Sequence, residues 1–211
     1  MDEVVNEPIA AQSTLHNLFP IPVGQYGIDY RPTKKETRFI LEQPQRNNMG
    51  NSTSQDNKIL NSKELATLRK LLEQKINLYF DTVYNPKHAV KLRITQSWCN
   101  YTETGQFHHK HSHPNSFISG VFYLKTTSTD RIHFFTGAQP GIKLPPKNWN
   151  IWNSESWWFE ATKHSLFLFP SSLTHMVETV TAQQTRISLS FNTFLVGTVG
   201  EANELTLLEL D

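Results

Sequence analysis

The spacing of apolar residues along this chain changes period near residue 90. Before that point the pattern is sparse and helical. Thr33 followed three residues later by Glu36 is a capping box, which predicts a short helix running to about Gln43. Leu65, Leu68, Leu72, Ile76 and Tyr79 recur at helical spacing and predict a second helix, capped by Asn61 with Glu64. Its apolar stripe is expected to cover one face of a sheet. Phe19-Pro20-Ile21-Pro22-Val23 reads as an edge strand, since proline is tolerated where no neighbour needs its N–H. Residues 1–15 read as frayed, and the polar, turn-rich run 44–60, QPQRNNMGNSTSQDNKI, as a long surface loop.

From residue 90 onward, short segments rich in β-branched and aromatic residues alternate with turn signals. They cover 90–102, 116–126, 131–136, 156–161, 164–170, 174–180 and 185–196, with Pro140, Gly141, Pro145 and Pro146 in the longest loop between them. Two helices followed by about eight strands predict a mostly β chain: a cupin-like jelly roll, or double-stranded β-helix, backed by N-terminal helices. The expected organisation is one domain over 1–211, with a strand and helices in 16–88 and the β-helix core in 89–196.

Composition narrows the function classes. The 211 residues carry 20 basic and 19 acidic side chains, a formal charge of +1, so no basic stripe points to nucleic acid. No run approaches membrane-spanning length, and the start lacks the pattern of a secretion signal. Cys99 has no cysteine partner. A cytoplasmic location is therefore expected, and Asn51-Ser52-Thr53 and Asn100-Tyr101-Thr102 read as unmodified sequons.

The chemistry concentrates in two places. Four histidines, His108, His109, His111 and His113, fall within six residues, and His175 follows 62 residues after His113. On an extended strand His109, His111 and His113 share a face and His108 points away. Pro114 ends strand pairing just beyond them. Imidazoles so placed suit iron, and a distant third histidine can complete a facial site. In the later stretch RISLSFN, Arg186, Ser188 and Ser190 face one side and Ile187, Leu189 and Phe191 the other. A guanidinium and a hydroxyl on one polar face can grip a carboxylate. Trp149, Trp152, Trp157 and Trp158 read as a structural hairpin with cross-strand aromatic pairs or an oligomer contact, and alternatively as a substrate lid. His133, His164 and Lys110 read as ordinary structural or solvated residues.

These residues resemble the iron(II)/2-oxoglutarate-dependent dioxygenase superfamily, and more narrowly an oxygenase family of marine bacteria and their phages. The resemblance rests on Trp98 and Asn100, His111-x-His113-Pro114, Ser119 to Leu124, Phe169 to His175, and Arg186 to Asn192. It implies iron(II) held by His111, His113 and His175, and 2-oxoglutarate anchored by Arg186 and Ser188, with Tyr123 and Asn100 lining the site. The implied reaction is hydroxylation of a C–H bond of a peptide side chain or small metabolite, releasing succinate and carbon dioxide. The superfamily's usual carboxylate ligand stands two residues after the first histidine. Here that position holds His113 if His111 is first and Asn115 if His113 is first. Two alternatives remain at this stage: a cupin-like three-His dioxygenase that does not use 2-oxoglutarate, and a jelly-roll binding or structural module. A homodimer through an exposed edge strand is a further expectation.

Overall fold

A computed structural model describes residues 15–137, 141–142 and 144–211; residues 1–14, expected to be frayed, and Pro140 lie outside the described residues. In chain order the elements are β1 (Gly24–Gly27), α1 (Lys34–Leu41), β2 (Gln45–Asn48), β3 (Asn51–Ser54), α2 (Ala66–Val83), β4 (Val90–Thr102), β5 (His108–His111) and β6 (Ile118–Lys125). They continue with β7 (Arg131–Phe135), β8 (Ser156–Glu160), β9 (Ser165–Pro170), β10 (His175–Val177), β11 (Arg186–Val199) and β12 (Leu208–Leu210).

The chain is mostly β. A large antiparallel sheet runs β1-β9-β6-β11-β4-β3-β2, with β12 paired to β11, and a small sheet runs β5-β10-β7-β8. Alternation along the central strands builds two cores. Ile118, Phe122, Leu166, Leu168, Ile187, Leu189 and Phe191 point to one face of the large sheet and pack with Leu65, Leu68, Leu72, Ile76 and Tyr79 of the α2 region. Those five are the residues of the helical stripe, and each is no more than 1% exposed. Val121, Tyr123, Phe167 and Phe169 point to the other face and meet Ile132, Phe134 and Val177 of the small sheet. Burying such apolar faces is the main force holding helix on sheet and sheet on sheet.

Several expectations need correction. The N-terminal strand lies at Gly24–Gly27, after the proline-containing run, and pairs with β9; Phe19 has a φ of 56° and is exposed. Residues 44–60 are no surface loop. They form the β2–β3 hairpin and a turn of 3-10 helix, and Asn51, Thr53, Ser54, Ile59 and Leu60 are buried. Asn61 and Glu64 do not cap the second helix. Two 3-10 turns precede α2, its N-terminal flank Leu65 offers no side-chain cap, Asn61 Oδ1 accepts a bond from Arg69, and Glu64 accepts one from Ser62. At α1 the expected box is present, with Thr33 Oγ1 accepting from the Glu36 N–H and Glu36 accepting from the Thr33 N–H. Both sequon asparagines, Asn51 and Asn100, are buried.

Candidate metal centre

The small sheet presents the histidines. His175 opens β10, directly across from His111 on β5, and His113 follows β5 with its N–H bonded to the Ser171 carbonyl at 2.9 Å. The His113 and His175 Nε2 atoms lie 3.4 Å apart. The His111 ring centroid is 4.4 Å from that of His175 and 4.8 Å from that of His113. One nitrogen from each of the three rings falls within a span of 4.8 Å, a group that could hold a metal ion.

Backbone carbonyls orient two of these rings. His111 Nδ1 is 2.7 Å from the His109 carbonyl and His175 Nδ1 is 3.0 Å from the Leu173 carbonyl. A carbonyl accepts only from N–H, so both Nδ1 atoms carry the proton and each Nε2 keeps its lone pair. Burial pushes His175 down to about 3 and His113 down to about 4, and lowers His111 as well, with nearby rings adding to the effect. The rings are therefore neutral at pH 7 and ready to bind a cation.

His108 departs from expectation. Three residues of β10, His175 to Val177, stand against four of β5, His108 to His111. The extra residue is a β-bulge, which resets the alternation of the strand. As a result His108 turns to the same side as His111 and stacks on it, centroids 4.7 Å apart and 15° between planes. With His109 and His111 it forms a second group of possible ligands. Burial is the chief cause that drives His108 well below its ordinary value, and the Arg186 charge contributes too.

Arg186 lies on the interior face of β11, 2% exposed. Its Nη1 donates to Asp130 Oδ1 at 2.8 Å and to the Glu178 carbonyl, one residue past β10, at 3.0 Å. Its Nη2 is buried and has no partner, and the Tyr123 hydroxyl is in the same condition. Ser188 stands opposite Tyr123 on β6 and opposite Asn100 on β4. Asn100 Nδ2 donates to Ser188 Oγ and Ser190 Oγ at 3.3 and 2.9 Å, and its Oδ1 accepts from Trp98 Nε1 at 3.1 Å. Buried donors without acceptors are costly, and both Arg186 Nη2 and Tyr123 Oη have the chemistry to receive an anion.

Asp130 went unnoticed in the sequence. It stands in the turn before β7, 56 residues from Arg186, and no local pattern links the two. Asn115 takes a left-handed φ of 56° after Pro114 and lines the open cavity rather than the strand. That cavity, about 780 Å³, opens beside the histidines and is walled by β2, β3 and β4. The tryptophans of 149–158 do not line it; Trp157 and Trp158 pair across strands with Phe134 and His133, as a structural hairpin does. His133 bonds Glu178 at 2.7 Å, His164 stands in a turn with φ 66°, and Lys110 lies 3.8 Å over the Phe135 ring.

Residues 96–192 match a family model described as "Putative 2OG-Fe(II) oxygenase". No curated protein matches the chain. Among solved structures it is similar to an oxidoreductase of the 2OG-Fe(II) oxygenase family from Burkholderia pseudomallei, at 15% identity and a TM-score of 0.53, over 75% of this chain and 76% of that one. It is also similar to HygX from Streptomyces hygroscopicus, solved with nickel and 2-oxoglutarate bound, at 9% identity and a TM-score of 0.57, over 82% of each chain. A third likeness is SnoN, a non-heme alpha-ketoglutarate-dependent epimerase of nogalamycin biosynthesis, at 11% identity and a TM-score of 0.53, over 75% of this chain and 69% of that one. At these identities the likeness is one of fold.

Proposed function

We propose that this chain is an Fe(II)- and 2-oxoglutarate-dependent oxygenase that hydroxylates a C–H bond of a small metabolite or peptide side chain on a jelly-roll scaffold. The observation that carries the reading is the pair of buried, unpartnered donors, Arg186 Nη2 and Tyr123 Oη; Tyr123 shares its core with Phe134 and Phe169, whose rings pack against His175. When bound, iron(II) and 2-oxoglutarate supply oxygen activation coupled to release of carbon dioxide and succinate.

The chain's own residues have three tasks. His111, His113 and His175 would hold the metal. Arg186 Nη2 and Tyr123 Oη receive the far carboxylate of the co-substrate, with Ser188 Oγ beside them on β11. Phe134 and Phe169, whose rings lie 6.1 and 4.6 Å from that of His175, keep water from the inner side of the metal position. A three-His dioxygenase without 2-oxoglutarate leaves both buried donors unexplained.

Iron(II) and then 2-oxoglutarate, added anaerobically to the metal-free protein, test this directly. Wild type is expected to develop the weak visible band of the iron–2-oxoglutarate chelate. His175→Ala should lose it, and Arg186→Ala should need far more 2-oxoglutarate to reach it. Iron binding without any band in wild type would falsify the 2-oxoglutarate reading.

A further inference from the structure

One row of residues crosses the large sheet on the cavity side. Tyr123 on β6 faces Ser188 on β11, Ser188 faces Asn100 on β4, Asn100 faces Thr53 on β3, and Thr53 faces Arg46 on β2. Adjacent strands are about 4.8 Å apart, so the Arg46 backbone lies roughly 10 Å from Asn100 and about 14 Å from Ser188. The co-substrate anchor occupies the inner end of the row. Arg46 occupies the outer end, where it and Thr53 line the cavity.

The outer end is cationic. Arg46 and Lys58 both line the cavity, and no Asp or Glu does. Arg46 Nε donates to Thr53 Oγ1 at 3.4 Å, so that side chain lies along the cavity wall. Neither Arg46 nor Lys58 forms an ion pair among the described residues. The nearest carboxylate in sequence, Asp56, accepts the Lys58 N–H and stands outside the cavity lining. Three neutral imidazoles do not offset the charge of iron(II), so only the 2-oxoglutarate dianion balances it. The rest of the cavity then carries uncompensated positive charge, while Asn47, Asn57 and Asn115 offer it side-chain amides. The apolar element next to the metal is Trp98, its ring 5.8 Å from that of His113 and held by its bond to Asn100.

Resting on the oxygenase reading above, we propose that the primary substrate is a small polar metabolite bearing an oxyanion, bound with that group at Arg46 and Lys58. Its C–H end lies over Trp98 beside the histidines. A cavity of about 780 Å³ lies in the range of small-molecule sites, and a long polymer would need a longer run of cations than these two. The oxyanion belongs to a phosphate monoester or to a carboxylate.

Inorganic phosphate and acetate serve as probes, with 31P and methyl 1H relaxation measured on anaerobic protein holding iron(II) and saturating 2-oxoglutarate. Saturable relaxation is expected for at least one probe, and an Arg46→Ala/Lys58→Ala double variant should weaken it at least about fivefold. The probe that responds names the source of the oxyanion. No saturable effect with either probe, or an equal effect in the double variant, overturns the proposal. The chelate band is recorded in the same samples. Its absence in wild type counts against the oxygenase reading, while its presence with unresponsive probes counts against the oxyanion site alone.

Discussion

The Arg186 guanidinium donates to the Asp130 carboxylate at 2.8 Å, and both side chains are almost wholly buried. Asp130 is itself held, its Oδ2 accepting the Thr127 N–H at 2.7 Å, so the pair is fastened to a turn rather than to a flexible loop. Nη1 of the guanidinium is thereby committed, while Nη2 stays buried without a partner. Removing one partner of a buried pair strands the other charge. Asp130→Ala should therefore lower unfolding stability by about 3–5 kcal/mol. With iron(II) present, 2-oxoglutarate should stabilise this variant by more than it stabilises wild type, because its carboxylate replaces the missing charge. Denaturant unfolding with and without the two ligands measures both; equal increments in the two proteins would refute the coupling.

The two possible ligand groups share His111 but differ in the rest. Orienting partners alone change metal affinity about 10–100-fold. Loss of a true ligand should exceed that, so His113→Ala is expected to weaken iron(II) binding by more than about 100-fold. With His111, His113 and His175 as the ligands, His109→Ala should leave it within a few-fold, since the carbonyl that accepts from His111 Nδ1 survives the substitution. Calorimetric titration of the two variants side by side decides the matter. The opposite ranking would move the metal to the outer group.

Much of this site was legible because strand alternation and ligand chemistry point the same way. Arg186 and Ser188 face the interior while Ile187, Leu189 and Phe191 face α2, as the RISLSFN pattern implies. The β2–β3 hairpin escaped notice for a physical reason. Its cavity-lining residues, Arg46, Asn48 and Thr53, border a polar space, so the apolar-in signal that reveals a strand is missing. His108 was misplaced because parity counting assumes an unbroken strand, and a bulge leaves no mark in the residue types. The Asp130–Arg186 pair is purely tertiary.

Gly120 on β6 stands directly opposite Phe191 on β11. A Cβ added there would fall on the Phe191 ring and within 2.8 Å of Leu168 Cδ2. Both are fully buried against α2 and have no room to retreat. Overpacking of this kind costs about 1–3 kcal/mol. Gly120→Ala should thus shift the unfolding midpoint down while leaving the metal site, on the other sheet, able to bind iron(II). An unchanged midpoint in urea would show that the ring moves freely.

Acid should weaken the metal-free fold earlier than its carboxylates alone would. Burial holds His113 at about 4 and His175 at about 3, and lowers His111, whereas the unfolded chain's histidines titrate near 6.5. Between those values the unfolded state binds more protons than the folded one, so stability rises with pH across that window. The contribution is intact above about 6.5 and is lost as pH falls toward the folded values. Carboxylates stay mostly ionised down to about pH 5, which isolates the histidine effect between pH 7 and 5. Urea midpoints of the metal-free protein should fall over that interval. A His113→Gln variant, with one such group fewer, should show a shallower fall. Metal bound at Nε2 favours the folded, unprotonated rings, and His113 and His175 stay unprotonated in the fold down to pH 5, so added iron(II) should raise the midpoint by similar amounts at pH 7 and pH 5. Midpoints that stay level from pH 7 to 5 in the metal-free protein would mean the three rings are more open to water than their packing against Phe134, Phe169 and Trp98 implies.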